Sequence, residues 1–359
     1  MNTENLPCVK VEKSRGEEIR RALKELKLLR FDARITTNDN FIYLPLIRVL
    51  KKDEIEEIGV EKPLIREFEV VEQRRNIEDI IGFKPSYEIV GDIAVLTDAD
   101  LTAELFVAHA LMNLHKNIKV VAKRISPVEG VFRKRKITII AGENRTETMH
   151  KENGCRYKLD LEKVYFNPRL ANERNRVASQ VDRREKGEII DMFAGVGSFS
   201  IQIAKRAPLS HVTAIDINPY AIQYLRENIK LNGVKNVEAI EGDIKEIYVK
   251  FRNRADRIIM NLPKSAYLFL DEALCMLNPQ GGIIHFYDVE SSYPRGEQRK
   301  SLETAITRAK EKLMAKIKEA CGREGLLLRS LEILEARKVK PYAPYLYIIG
   351  IDAVIGFVL

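Results

Sequence analysis

Three polar side chains follow apolar runs that have the character of buried strands. Asp216 ends "HVTAID", Asp243 comes shortly after "NVEAIE", and Asn261 ends "DRIIMN". In a parallel sheet such strand ends meet at one edge, where ligands bind. A carboxylate at Asp216 suits two ribose hydroxyls, and one at Asp243 suits an adenine amino group. Each aspartate alone is more often a turn residue or helix cap, but the ordered set favours one ligand lying across the edge.

Two glycines precede these residues in "DMFAGVGSFS", residues 191–200. Gly195 and Gly197 permit a tight strand-to-helix turn and close approach of the backbone to a ligand. The third glycine of a dinucleotide fingerprint falls on Ser200, and a P-loop lysine is missing, so neither pattern for a pyrophosphate is complete. Asp216 follows Gly195 by 21 residues, the spacing of a ribose-binding carboxylate. Adenosine with an amino-acid tail fits this set, which predicts S-adenosylmethionine as the cofactor.

The strand tip "MNLPK" limits the nucleophile that such a cofactor would methylate. Enzymes that methylate exocyclic amines usually carry Asn-Pro-Pro-aromatic at this place, whereas this chain has Asn261-Leu262-Pro263-Lys264. The motif also lacks the cysteine expected of a ring-carbon methyltransferase. Both of those enzyme classes are therefore disfavoured.

The 359 residues are 45% hydrophobic and 31% charged, an ordinary globular composition. They include no apolar run of about 20 residues, the length that a membrane span needs. The first ten residues lack the pattern of a secretory signal, so we expect a cytoplasmic protein. The four cysteines and five histidines are scattered without metal-ligand spacing, and no metal site is expected.

Basic residues crowd two stretches, 123–136 and 169–184, and the formal net charge is +8. Such clusters suit a polyanionic partner such as nucleic acid. A solvated charged face explains them as well, and the residues alone leave both interpretations open.

The pattern of elements predicts three domains, 1–70, 71–180 and 181–359. In the first, "PCVKVEK" and "NFIYLPLIRVL" have strand character, and the segment between them has helical spacing. The charged stretch 51–79, broken by Pro63, is interpreted as a linker.

The second predicted domain opens with a strand pair in "YEIVGDIAVL", followed by a helix in "DADLTAELFVAHALMNLHK" and a strand in "KITIIAG". The dipeptide Asn153-Gly154 predicts a type I′ turn between two further strands. Asn167 and Pro168 then predict the start of a helix that runs to about Arg183.

From residue 187 onward, apolar strands alternate with helices that begin near Ser198, Asn218 and Ser265. Such alternation predicts an α/β class with a parallel, doubly wound sheet. A long helix and two consecutive strands end the chain, and the strand pair predicts an antiparallel edge.

Eight motifs together resemble those of the archaeal and eukaryotic tRNA (guanine-37-N1) methyltransferases: "GVFRKR", "AGENRT", "HKENG", "VYFNPRLANERNR", "DMFAGVGSF", "AIDINP", "MNLPK" and "KPYAP". The resemblance is close over the second and third predicted domains and holds in outline over the first. It implies a Rossmann-type S-adenosylmethionine methyltransferase domain, an adjoining α+β RNA-binding domain and a small N-terminal α+β domain that recognises tRNA shape. The implied partner is tRNA, at its anticodon arm and outer corner. No membrane or protein partner is implied, so we expect a monomer.

The resemblance also implies the roles of single residues. Guanine N1 carries a proton, so methyl transfer there requires a base that removes this proton and a cation that stabilises charge on O6. These roles map to Glu173 and Arg133, with Asn261 hydrogen-bonded to guanine. Without the resemblance, Glu173 is as well explained as a surface partner of Arg169 or Arg176, and Arg133 as a phosphate contact.

Further residues are implied around the two ligands. Tyr165 matches a family tyrosine near the target base, where aromatic stacking is usual for an extruded base, and Pro263 would shape the pocket. The implied substrate-binding residues are Tyr165, Arg174, Pro263, Arg135 and Lys136. The implied cofactor-binding residues are Phe193, Gly195, Gly197, Asp216, Ile217, Asp243, Ile244 and Asn261.

Three positions depart from common family residues: Val131 replaces Glu, Ser198 replaces Pro and Asn167 replaces Ser. None of these changes removes an expected catalytic side chain, but they leave the subfamily open. One alternative is a dual-function enzyme that also methylates a wyosine precursor at tRNA position 37. Another is a noncatalytic tRNA-binding protein, which the presence of Gly195 and Glu173 argues against.

Overall fold

The computed structural model describes residues 2–70, 76–97, 103–125, 130, 136–184, 186–293 and 301–358. The chain separates into two compact units, 1–80 and 81–359, and each is described here by itself. The predicted boundary at residue 180 lies within the second unit and stays a prediction.

The first unit is an antiparallel sheet with helices. Its elements are β1 (Asn2–Glu12), α1 (Gly16–Glu25), β2 (Thr36–Thr37), β3 (Phe41–Pro45), α2 (Lys52–Ile58), β4 (Leu64–Val70) and α3 (Ile77–Ile81). The strands lie in the order β2-β3-β1-β4. Ile19 and Leu23 of α1, one helical turn apart, are buried in the same apolar core as Val9 and Leu44 of the sheet.

The interpretation of residues 51–79 as a linker is wrong. Helix α2 and strand β4 occupy much of this stretch, and β4 pairs antiparallel with β1, with Cys8 opposite Leu64. Strand β4 lies at the edge of the sheet, so Leu64 to Glu67 are exposed while Phe68 is buried. Edge strands often carry charged, exposed residues, and for this reason the sequence of β4 resembled that of a linker.

The second unit begins with a small sheet and a hairpin. The elements are β5 (Tyr87–Val90), β6 (Ile93–Leu96), α4 (Glu104–Leu114), β7 (Val120–Arg124), β8 (Ile137–Gly142), β9 (Glu147–Glu152) and β10 (Cys155–Asp160). The sheet order is β5-β6-β7-β8, and β9 pairs with β10. Asn153 and Gly154 have φ angles of 47° and 72°, which confirms the predicted turn. The sequence analysis did not predict β7.

The helix that carries the "NERNR" motif follows this hairpin. It consists of a 3-10 turn, Pro168–Leu170, and helix α5 (Ala171–Ser179). Asn167 caps its start by accepting from Arg169 N at 3.0 Å, as predicted. The helix does not extend to Arg183. Gln180 leaves it to donate to a buried carboxylate, and Val181 enters the core with 1% exposure, so tertiary contacts end the helix early.

The largest sheet of the described chain has seven strands. The seven strands and the α-helices between them are, in chain order, β11 (Glu188–Asp191), α6 (Ser200–Arg206), β12 (His211–Asp216), α7 (Pro219–Asn232), β13 (Val237–Glu241), α8 (Ile244–Ile247), β14 (Arg257–Met260), α9 (Leu270–Met276), β15 (Gly281–Ser291), α10 (Leu302–Glu324), β16 (Leu328–Ala343) and β17 (Leu346–Phe357). The strand order is β13-β12-β11-β14-β15-β17-β16.

This order confirms the predicted doubly wound sheet and the α/β class. Strands β11 to β15 run parallel, and β17 pairs antiparallel with both β15 and β16, as expected for the final two strands. The chain moves from β11 outward to β13 and then returns to place β14 on the other side of β11. The strand order reverses between β11 and β14, which is where such sheets bind ligands. Among the described residues, no helix is long and apolar enough to cross a membrane.

Candidate active site

A cleft opens beside the carboxyl ends of β11, β12 and β14. Its wall includes most of the residues predicted to bind the cofactor, namely Phe193, Gly195, Asp216, Ile217, Asp243, Ile244 and Asn261. Gly197 belongs to the same turn as Gly195 but does not line the cleft. Residues from four separate loops thus meet at the edge that the sequence indicated.

The two glycines of the β11–α6 turn serve different purposes. Gly195 has φ 57° and Gly197 has φ 87°, values that favour glycine. A Cβ on Gly197 would lie 2.3 Å from Leu225 Cδ1, so packing excludes a side chain there. A Cβ on Gly195 would have the Tyr165 carbonyl oxygen, 3.9 Å away, as its nearest neighbour. Gly195 therefore leaves open space in the cleft, where a ligand can approach the backbone.

Asp216 is anchored by two backbone donors. Gly195 N donates to its Oδ2 at 2.7 Å, and Asn218 N donates to its Oδ1 at 2.8 Å. Burial raises the pKa of Asp216, and these two hydrogen bonds oppose that rise. A carboxylate oxygen accepts more than one hydrogen bond, so both oxygens retain acceptor capacity for ribose hydroxyls.

Asp243 is both a helix cap and a residue of the cleft wall. It caps helix α8 by accepting from Lys245 N at 2.9 Å, and it also lines the cleft. Beside it, Phe193 and Phe269 meet edge to face, with ring centroids 5.0 Å apart. A carboxylate next to apolar rings fits an adenine, whose amino group donates while its faces pack against apolar surface.

The cleft continues to the residues predicted to hold the target base. Tyr165, Asn261 and Pro263 line it together. Asn167 Nδ2 donates to Tyr165 Oη at 3.4 Å, which links the tyrosine to the cap of α5. Lys264 replaces the aromatic residue of the amine-methylating pattern; it has φ 76°, and its ammonium lies 4.5 Å from the centroid of the Tyr342 ring.

Arg174 lines the cleft, but its donors are engaged within the protein. Its Nε and Nη2 each bond to Glu152 at 2.6 Å, and Nη2 also donates to Asn167 O at 3.0 Å. With 2% of its surface exposed, it forms a buried bidentate ion pair. Its predicted contact with substrate stays a prediction, whereas its contact with Asn167 supports the start of α5.

Glu173 lies on α5 outside the cleft wall and is 7% exposed. Its carboxylate accepts from Tyr287 Oη at 2.7 Å, from both Nε and Nη2 of Arg176, and from Arg337. The alternative of a pair with Arg176 is therefore partly correct, but the pair is buried rather than on the surface. Burial raises the pKa of Glu173, while Tyr287 and Arg176 lower it. Its role as a base stays a prediction.

Behind Glu173 lies a polar network that sequence reasoning missed. Asp352 accepts from Arg176 at 2.7 Å and from Arg337 at 3.3 Å, and it contacts His285 Nδ1 at 2.7 Å. His285 Nε2 lies 2.7 Å from Arg257 Nη1. Arginine only donates, so Nε2 accepts and Nδ1 carries the hydrogen that bonds to Asp352.

The signal for this network was present in the sequence. His285 and Asp352 interrupt "GGIIHFYDV" and "LYIIGIDAVI", two otherwise apolar strands, and buried polar groups require partners. Burial opposes the ionisation of Asp352, but the hydrogen bond from His285, followed by Gln180 and Arg176, holds its pKa at about 2. Burial lowers the pKa of His285.

Three further predicted site residues lie within or directly next to a stretch that is outside the described residues. Arg133 and Arg135 fall outside the described residues. Lys136 is exposed and directly precedes β8. Within the described ranges, no group of three or more His, Cys, Asp or Glu side chains could hold a metal ion.

Comparison with known proteins agrees with the predicted family over nearly the whole chain. A family model described as the TRM5/TYW2 methyltransferase domain matches residues 148–317. A curated Pyrococcus abyssi protein, tRNA (guanine(37)-N(1))-methyltransferase Trm5b, is 42% identical over 358 residues, covering 98% of this chain and 99% of its own. The chain belongs to the TRM5/TYW2 methyltransferase family. Members of this family are S-adenosylmethionine-dependent enzymes, in agreement with the predicted cofactor.

Other matches extend this family assignment to both units. Two further models, the tRNA methyltransferase 5 N-terminal domain and the TYW2 N-terminal domain, match residues 8–54 and 69–146. The solved complex of aTrm5 and tRNALeu is 35% identical with a TM-score of 0.63, covering 98% of this chain and 100% of that one. Saccharolobus solfataricus tRNA 4-demethylwyosine(37)-methyltransferase Taw21 is 40% identical over 213 residues, 57% of this chain and 78% of its own. TRM5-like and wyosine-pathway relatives therefore both lie close to this sequence.

Proposed function

We propose that this TRM5/TYW2 family member transfers a methyl group from S-adenosylmethionine to N1 of guanosine 37 in tRNA. The observation that carries the proposal is the continuity of the cleft. Asp216 and Asp243 line the same cleft as Tyr165, Asn261 and Pro263. A cofactor and an extruded base can therefore share one cavity, as methyl transfer requires.

S-adenosylmethionine supplies an electrophilic methyl group, and its adenosine would be held by Asp216 and Asp243. Phe193, Ile217 and Ile244 would pack against it, and the Gly195 turn would leave room for it. Burial of Asp216 supports this role, because a ribose would satisfy a carboxylate that is already partly removed from water.

On the substrate side, we propose that Glu173 takes the N1 proton of guanine. The electron pair left on N1 would form the bond to the methyl carbon as the carbon–sulfur bond breaks, and the electrons of that bond would stay on sulfur, so that S-adenosylhomocysteine leaves. Arg133 would stabilise the charge that develops on O6, and Asn261 would hydrogen-bond the base edge. Burial makes Glu173 a stronger base than an exposed glutamate, which supports proton removal near neutral pH. Because Glu173 lies outside the cleft wall, the proposal requires the extruded base to reach its carboxylate when tRNA binds.

The contacts with tRNA follow from the same proposal. Tyr165 would stack on the extruded base and Pro263 would shape its pocket. Arg174, Arg135 and Lys136 would contact the anticodon arm, with the N-terminal unit at the outer corner. We further propose a monomer acting in the cytoplasm, with the three predicted domains as the working parts.

A second candidate is a dual-function enzyme that also methylates a wyosine precursor at position 37. The observation that favours it is the 40% identity with a relative named as a 4-demethylwyosine methyltransferase. Both substrates present a purine-derived ring at the same tRNA position, so one cleft can serve both.

Methyl transfer to unmodified tRNA transcripts tests the function. Transcripts that differ only in having guanosine or adenosine at position 37 would be incubated with the purified chain and S-adenosylmethionine, then digested for nucleoside mass spectrometry. We expect 1-methylguanosine from the first transcript and no product at position 37 from the second. Methylation of adenosine but not guanosine would overturn the proposal. A third transcript that carries 4-demethylwyosine separates the dual-function alternative, because an enzyme confined to guanosine leaves it unchanged.

A further inference from the structure

A chain of buried polar groups converges on Glu173 from three neighbouring strands, β15, β16 and β17. His285 and Tyr287 lie two residues apart on β15, so their side chains project from the same face. Asp352 of β17 stands opposite His285 in the strand register, and Gly350 stands opposite Tyr287. Strand β16 places Arg337 opposite Gly350. Three strands therefore present their polar residues at one place on the sheet.

The Glu173 carboxylate is surrounded by charged and titratable groups from every element packed against it. Arg176 faces it from α5, and Tyr287 and His285 lie on β15. Arg337 and Glu335 face this region from β16, and Asp352 does so from β17. Arg176 and Arg337 each bridge Glu173 and Asp352, and His285 fixes Asp352 from the far side.

We propose that Tyr287 and Arg337 are positioning residues that hold the Glu173 carboxylate ionised and in one orientation for proton removal. This inference rests on the proposed function, because it takes Glu173 to be the base. A carboxylate with 7% exposure is driven toward its protonated form unless donors compensate for the lost water. The phenol and the two guanidinium groups supply that compensation, and their directional bonds fix the carboxylate in place.

Gly350 is part of the same arrangement. A Cβ at this position would lie 3.2 Å from Arg337 Nη2, 3.2 Å from Tyr287 Cε1 and 3.0 Å from Val339 Cγ2. Both positioning side chains therefore pass over a site that only glycine leaves open. A methyl group there would require both to shift by a few tenths of an ångström without removing a single polar group.

The test is the pH dependence of single-turnover methyl transfer to the guanosine 37 transcript, with Tyr287→Phe as the variant. Loss of the phenol removes a donor to the ionised carboxylate, so the pKa of Glu173 rises and the acidic limb of the profile moves to higher pH. We expect a shift of about one pH unit, with a roughly tenfold slower rate below the limb. The rate should recover above it, and the affinities for tRNA and S-adenosylmethionine should stay unchanged.

Tyr224→Phe is the matched control. It removes another phenol that donates to a carboxylate, at 2.8 Å to Glu147 Oε2, away from Glu173. Its profile should coincide with that of the parent. Gly350→Ala is the second variant, for use even if Tyr287→Phe fails to fold, and we expect its acidic limb to move in the same direction.

The outcomes separate the inference from the function. Profiles of Tyr287→Phe and Gly350→Ala that coincide with the parent would overturn the positioning role, and an inactive Glu173→Gln variant would then leave the proposed function standing. A Glu173→Gln variant as fast as the parent would contradict both the role of Glu173 as the base and the positioning inference. A loss of rate that no pH restores, in variants that fold and bind S-adenosylmethionine as the parent does, would also contradict the inference, which predicts recovery above the limb.

Discussion

At the residue scale, the surroundings decide what each carboxylate can do. Asp191, at the end of β11, is 1% exposed and accepts from Ser200 Oγ at 2.7 Å, and burial raises its pKa to about 7. Asp352 is equally buried, yet its basic neighbours hold its pKa at about 2. Glu173 combines burial with guanidinium partners. The pKa of a buried carboxyl group is thus raised at Asp191 and lowered at Asp352, depending on its donors.

Gly195 gives a residue-scale prediction about the cofactor. Gly195→Ala adds a methyl group that meets nothing closer than 3.9 Å in the protein but stands in the cleft. We expect the affinity for S-adenosylmethionine, measured by calorimetry, to fall at least tenfold. The positive φ should also cost about 1 kcal/mol of folding stability.

Gly233→Ala is the control for that prediction. Gly233 ends α7 with φ 65°, and a Cβ there would have no heavy atom within 4 Å. Its backbone cost should match that of Gly195→Ala, while cofactor affinity stays at the parent value. Equal affinity in both variants would place the cofactor elsewhere.

At the element scale, features with a local cause could be predicted from the sequence. Strands β11, β12 and β14 are short and largely apolar, and burial of both faces explains that composition. The turn at Asn153-Gly154 and the cap at Asn167 depend on side chains within three residues, so they too were predicted. The strand-end set Asp216, Asp243 and Asn261 followed from topology, because parallel strands end at one edge.

Features that depend on distant partners could not be predicted. Strand β4 is recognised by its pairing with β1, and α5 ends where it does because Gln180 bonds to Asp352, far along the chain. The ion pair of Arg174 with Glu152 joins α5 to β9, and no local pattern pairs these two residues. The surroundings of Glu173 come from β15, β16 and β17, so no local pattern could have indicated them.

At the scale of the whole molecule, the chain is basic. Sixty Lys and Arg residues against 52 Asp and Glu residues give the formal charge of +8, which suits a tRNA partner. We predict that tRNA affinity falls as salt rises, because bound cations are released from phosphates. Two phosphate contacts already give about a tenfold loss between roughly 50 and 200 mM salt, and more contacts give more.

Filter binding or fluorescence anisotropy across that salt range measures the effect. The affinity for S-adenosylmethionine, which carries no phosphate, serves as the internal control and should change little. A salt-independent tRNA affinity would show that the basic stretches are solvated surface, the alternative that the sequence left open.

The most direct test of the central claim, that Glu173 takes the N1 proton, is the single-turnover rate of Glu173→Gln on the guanosine 37 transcript. We predict a loss of about 10² to 10⁴ in rate, with cofactor affinity unchanged. Glu335→Gln is the matched control, because Glu335 contacts the same arginines, at 3.3 Å to Arg176 and 3.4 Å to Arg337, but its side chain is 47% exposed. Its rate should equal that of the parent. A Glu173→Gln enzyme that methylates guanosine 37 as fast as the parent would contradict the account.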